Sequence, residues 1–228
     1  MGMTFVASAG ASAAGSGATL DATAALNVAA GDILVAFCGF SGTDTTVKIE
    51  ATSGNANTLT DTTHGNATDQ NASMGYKLVA DANGTATFRL TLGANRSWRY
   101  LRVWQFRPDS GETVTLAAGP AWGVATSTAI QSGNVSATGD DLLGFGGASI
   151  WDYAMSSQQI ADTSYDGLDY VNQLGGSWYK LFTTDQTDIH VQATLSPSAA
   201  WAAGIFIIKS AAGAGGSSIL RQMLAHSE

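Results

Sequence analysis

Two stretches of the chain follow one pattern, and this repetition narrows the possible folds more than any other feature. Residues 29–40 read AAGDILVAFCGF and residues 137–148 read ATGDDLLGFGGA, each a Gly-Asp turn entering an apolar strand. Further on, Tyr76-Lys77-Leu78 matches Tyr179-Lys180-Leu181, Leu92 matches Leu195 and Trp98 matches Trp201, all at an offset of 103 residues. Each repeat then reads as a turn, an apolar strand, a variable middle, a Tyr-Lys-Leu strand, an alternating strand and a Trp-led strand. One repeat alone is expected to leave a face of its sheet uncovered. Two laid together would share one core, which predicts a single domain with pseudo-twofold symmetry over residues 1–210.

Within the repeats, short apolar or alternating runs recur, bounded by Gly, Asn, Asp and Ser. Strands are expected at 3–8, 18–28, 32–40, 45–51, 73–80, 85–92, 98–107, 113–118, 127–136, 140–151, 176–183, 187–195 and 200–209. Alternation of period two places successive side chains on opposite faces. Turn chemistry such as Asp81-Ala82-Asn83-Gly84 separates the runs. Short strands at this spacing belong to an all-β sandwich rather than to βαβ units.

Charge sets limits on function. Only 12% of residues are charged, against roughly 25% in an average globular domain. A net charge of −8 leaves no basic footprint for nucleic acid. No run approaches the ~20 apolar residues of a membrane helix. The opening MGMTFVASAG lacks a basic segment followed by an apolar one, so folding in a cytoplasm is expected. Cys38, the single cysteine, lies in an apolar run and reads as a small buried side chain. The charge is also unevenly divided. Residues 1–110 hold seven bases and eight acids, a net of −1, and residues 111–228 hold three bases and ten acids, a net of −7.

The order Gly-Asp-Ile-Leu-Val-Ala, Tyr-Lys, Thr-Ala-Thr-Phe, Trp and Phe-Arg-Pro, followed by a second round ending Ser-Ala-Ala-Trp-Ala-Ala-Gly-Ile-Phe-Ile-Ile-Lys, resembles a jelly-roll β-sandwich domain of phage virion proteins. Such domains occur in tail, fibre and head-decorating proteins. The resemblance spans roughly residues 4–209 and rests on turns and core strands. It implies an antiparallel jelly roll and a structural role in a virion, with other virion proteins as partners and several copies assembled together. It departs where such domains often carry Pro-Pro-x-Gly-Trp, since residues 52–57 here read TSGNAN.

Catalytic signals are missing. His64, His190 and His226 are scattered, and none has metal-ligand spacing. Asp61 and Asp69 flank His64 in what reads as a solvated polar loop. There is no nucleophile elbow and no phosphate loop. No enzyme activity, cofactor or metal is expected.

Three segments read as surfaces for recognition. Residues 151–170 gather Trp151, Asp152, Tyr153, Tyr165, Asp166, Asp169 and Tyr170 in what reads as a loop. Aromatic faces and carboxylates together suit a sugar, so a carbohydrate-binding module for host-surface polysaccharide is the second functional reading, beside plain packing of the loop. The strand 98–107 places Trp98, Tyr100, Arg102, Trp104 and Phe106 on one face, expected to be core. Its other face would present Arg99 and Arg107 to an acidic partner. Finally, the small residues 211–216 read as a linker, followed by a short helix with Ile219, Leu220, Met223 and Leu224 on one side. A helix that short needs a surface to lie on, which makes 211–228 a candidate docking element.

Overall fold

The computed structural model describes residues 2–44, 46–52, 57–66, 70–150, 153–172 and 174–213. The described residues contain strands and no helix. In the first repeat the strands are β1 (Met3–Ala13), β2 (Gly17–Asp21), β3 (Leu26–Val28), β4 (Ile33–Ser41), β5 (Val47–Ala51), β6 (Thr60–Asn66), β7 (Gln70–Lys77), β8 (Gly84–Ala86), β9 (Phe88–Arg96) and β10 (Arg99–Pro108). The second repeat contributes β11 (Glu112–Gln131), β12 (Val135–Ala137), β13 (Leu142–Ile150), β14 (Ala154–Ile160), β15 (Gly167–Val171), β16 (Gly175–Phe182), β17 (Gln186–Ile189) and β18 (Val191–Ala212). The expected C-terminal helix with Ile219, Leu220, Met223 and Leu224 lies outside the described residues.

Both repeats build the same sheets. In the first, a large sheet runs β1-β10-β4-β7-β6, beside a small sheet β2-β9-β5 and a ribbon β3-β8. In the second, the large sheet runs β11-β18-β13-β16-β15 and the ribbon is β12-β17. The small sheet of the second repeat is made by the end of β11, the start of β18 and β14, because Ile130 pairs with Ala193 and Met155 with Leu195. Long strands β11 and β18 thus each do the work of two strands in the first repeat. All pairings are antiparallel.

The two large sheets lie face to face. β4 packs over β13, and β7 over β18 is mirrored by β10 over β16, so the centre of the interface follows a pseudo-twofold pairing, while β6 over β11 has no equal counterpart between β1 and β15. The core between them is aromatic, with Phe37, Tyr100, Trp104 and Phe106 from one side meeting Phe145, Tyr179 and Phe206 from the other.

One core was the expectation, and the structure has three. Leu34, Ala36, Cys38, Leu101 and Val103 point away from the central layer and are covered by Ile49, Phe88 and Leu90 of their own small sheet. Ala148, Ile150, Ala203, Ile205 and Ile207 are covered in the same way by Ile130, Ile160 and Val191. Each repeat is therefore a sandwich in itself. This explains why β4 and β13 read as continuous apolar runs, since a strand buried on both faces has no solvent side to alternate toward.

Candidate docking and recognition surfaces

The first Gly-Asp turn builds one end of the molecule. Gly31 sits at φ +90°, a left-handed conformation that suits glycine, and it delivers Asp32 to the start of β4 almost wholly buried. The Asp32 carboxylate accepts the Ala29 N–H at 2.7 Å, the Gln105 amide at 2.5 Å, and Arg107 through Nε at 2.7 Å and Nη2 at 3.0 Å. Burial alone would raise the Asp32 carboxyl, but these hydrogen bonds and the Arg107 charge outweigh it and hold it below the ordinary carboxylate range.

The Arg107 side chain remains half exposed and lines a cleft of about 400 Å³. Ala30, Gly31, Asp32, Val79, Val114 and the 108–112 turn complete the lining, so Asp109 and Glu112 share the cleft with the Arg107–Asp32 pair. Asp109 is tied to the Gly2 N–H at 2.9 Å and Glu112 to the Ser210 hydroxyl. β18 ends on this rim, where Ala212 pairs with Glu112 and the Gly213 N–H reaches Gly111 O at 3.1 Å. Arg107 and the start of the expected docking tail, far apart in sequence, therefore meet at one end of the fold.

Arg99 does not join them. It is 6% exposed and donates to Thr19 O and to Gly15 O, the latter at 2.8 Å. From Arg99 to Phe106 both faces of β10 are largely buried and only the Arg107 end opens to solvent, so the expectation of an open face presenting Arg99 to a partner is corrected. Leu101 and Val103, on the same side, need cover from the small sheet, and Arg99 lies beneath that cover. Burial lowers the Arg99 guanidinium below its ordinary value.

The 151–170 segment also differs from expectation. It is not a loop. Two strands, β14 and β15, occupy much of it, joined through a tight turn at Ala161-Asp162. Trp151 and Asp152 lie outside the described residues. Tyr153, Tyr165 and Tyr170 all pack against the second repeat's own core. The Tyr170 hydroxyl accepts the Met155 N–H at 2.8 Å and donates to Asn172 at 3.0 Å. Asp166 is exposed but accepts the Leu181 N–H at 2.7 Å. Asp169 takes the Tyr100 hydroxyl and pairs with Arg102. The structure thus brings the tyrosines onto one core and commits the hydrogen-bonding groups of Asp169 and Tyr170 inside the protein.

Asp32, Arg102 and Ser177 escaped the sequence reading as site residues. Asp32 had a signal, the Gly-Asp pair at the head of each repeat. Arg102 and Ser177 had none, because their partners come from the other repeat. Among the described residues no group of three or more His, Cys, Asp or Glu side chains is placed to hold a metal ion. No protein-family model, curated protein or solved structure matches the chain.

Proposed function

We propose that the protein is a structural component of a bacteriophage particle, fixed to head or tail and displaying its paired sandwiches outward. The observation that carries this reading is the strand order, found twice. In the first repeat β1, β10, β4 and β7 form one layer while β2 with β3, β9 with β8, and β5 form the facing one, an order similar to that of a jelly roll. The departure is β6, which adds to the β7 edge instead of joining β5. This order supports the virion jelly-roll resemblance that the sequence motifs suggest.

Attachment runs through the end where Arg107, its cleft and the exit of the chain at Gly213 coincide. A tail leaving beside a charged cleft can engage another virion protein while the sandwiches stay clear of the contact. Many copies turn weak single contacts into firm attachment.

The test uses virions produced from the genome that encodes this chain, purified on a density gradient. Mass spectrometry should find the chain in stoichiometric amounts, and a chain ending at Gly213 should be lost from the particle. Virions that lack the full-length chain would overturn the proposal.

A further inference from the structure

An edge strand presents a row of unpaired backbone groups, which soluble proteins blunt with charge, proline, brevity or irregularity. The two large sheets have four edges. β15 is five residues long and carries Asp169. β11 carries Pro120 and three register shifts. β6 contains Asp61 and a shift of its own. β1 is different, since its eleven residues, MTFVASAGASA, include neither charge nor proline.

Part of the β1 edge is covered. Both the backbone N–H and the hydroxyl of Thr23 donate to Gly10 O at 3.1 Å. The open part is Met3–Ser8. Its single register shift, between Phe5 and Ala7, leaves Phe5 42% and Val6 38% exposed rather than placing a charge there. One side of the Phe5 ring is covered by Tyr179, stacked with centroids 5.6 Å apart, and the edge of the ring meets Trp104 at 5.6 Å. The exposed patch is therefore the open rim of the aromatic core between the repeats.

We propose that this edge docks a second molecule of the same chain, Met3–Ser8 against Met3–Ser8, antiparallel across a twofold axis. Three features favour a second copy as the occupant. A strand without charge can face itself with no like-charge cost. The acids beside this edge, Asp109 and Asp141, lie against Gly2, just outside the paired stretch, whereas contacts through the rest of the −7 half would set two acidic surfaces together. Pairing also places the two Phe5 rims side by side and extends a core that already exists. The inference deepens the multi-copy part of the proposal above and names the surface.

Light scattering after size exclusion of the full chain tests it, alongside Val6→Lys and, as a control, Val124→Lys at an exposed valine on another strand. The wild type and the control should run at twice the chain mass, and Val6→Lys should weaken the dimer at least tenfold with an unchanged far-UV spectrum. Hydrogen exchange of wild type at two concentrations gives a second reading, with amides 4–8 slowed at the higher one. A wild type at single-chain mass throughout, an assembly indifferent to Val6→Lys, or exchange at 4–8 that ignores concentration would each overturn the proposal. Particle attachment has its own experiment above, so either reading can fail without the other.

Discussion

Tyr100 of the first repeat and Asp169 of the second are joined hydroxyl to carboxylate, 2.8 Å from Oη to Oδ1. Ser177 Oγ stands 3.0 Å from the same hydroxyl and accepts Trp104 Nε1 at 2.9 Å, and Arg102 pairs with the other Asp169 oxygen. The polar network thus clamps β10 to β15 and β16 across a largely apolar core, where Ser149 and Gln70 make a second polar link between the repeats at 2.8 Å. A buried network of this kind stabilises only while its members are satisfied.

Tyr100→Phe removes the central donor and keeps the ring. The expected loss is about 1–2 kcal/mol, the usual cost of leaving buried partners short of a hydrogen bond. Urea denaturation should show a lower midpoint with an unchanged slope. Burial also pushes the Tyr100 hydroxyl well above its ordinary value. Burial, followed by the Asp166 charge, raises the Tyr179 hydroxyl as well. Alkaline titration of the folded protein should therefore show tyrosines that lag behind free tyrosine, and Tyr100→Phe should reduce that lagging fraction by one residue.

Asp32→Asn tests the turn at the cleft. The substitution loses the charge that holds Arg107, and hydrogen bonds to charged groups typically contribute about 1.5–3 kcal/mol. The carboxyl is held below its ordinary value in the fold, so the folded state takes up its proton less readily than the unfolded chain. Its contribution is then complete above the unfolded value of about 3.9 and is lost as pH falls through the lower folded value. Wild type and variant should differ fully at pH 7 and converge below pH ~4, measured by thermal melts across that range.

Gly39→Ala tests how closely the large sheets approach. A methyl group at Gly39 would sit 2.4 Å from Ser149 Oγ and 2.7 Å from Ser149 Cβ, atoms of the opposite repeat. Neither contact is tolerable, so the sheets must part or β4 must shift. Overpacking of this kind costs about 1–3 kcal/mol. Pairing it with Ser149→Gly should restore much of the loss, and a double mutant no more stable than Gly39→Ala would show that the strain lies elsewhere.

Much of this architecture was legible in the sequence, and the misses have physical causes. The Gly-Asp turns and the matched Tyr76 and Tyr179 gave the duplication, and those tyrosines do occupy like positions, opposite Val35 and Phe145. Trp98 and Trp201 align at the same offset yet differ in the fold. Trp98 packs on the central core, while Trp201 is buried in the second repeat's own. A slip of one residue moves a strand side chain to the other face, and sequence matching cannot resolve a slip that small. Arg99 lies two residues before Leu101, as Trp201 lies two before Ala203, so it fills the slot of a buried tryptophan. That explains why an arginine expected on the surface is enclosed. Residues 154–160 look like a loop in sequence because Ser156, Ser157, Gln158 and Gln159 mimic turn composition, although the strand pairs with β18. The cleft depends on residues from 30 to 114 meeting in space, which no local pattern records.

Asp141 shows the opposite electrostatic sign to Asp32. Burial, followed by repulsion from Asp140, Glu112 and Asp109, raises its carboxyl above the ordinary value. The folded state therefore binds the Asp141 proton more readily than the unfolded chain, and ionising it costs stability as pH rises through that interval. At pH 7 the charge is a small liability. Asp141→Asn should stabilise the protein there by no more than about 0.5 kcal/mol, the range of most surface changes. The gain should vanish below pH ~4, where the wild-type carboxyl is protonated in both states. It should also shrink in high salt, because repulsion among exposed carboxylates is screened. A variant equally stabilised at every pH would locate the effect in packing against Gly2, whose backbone lies within reach of the Asp141 side chain, rather than in charge.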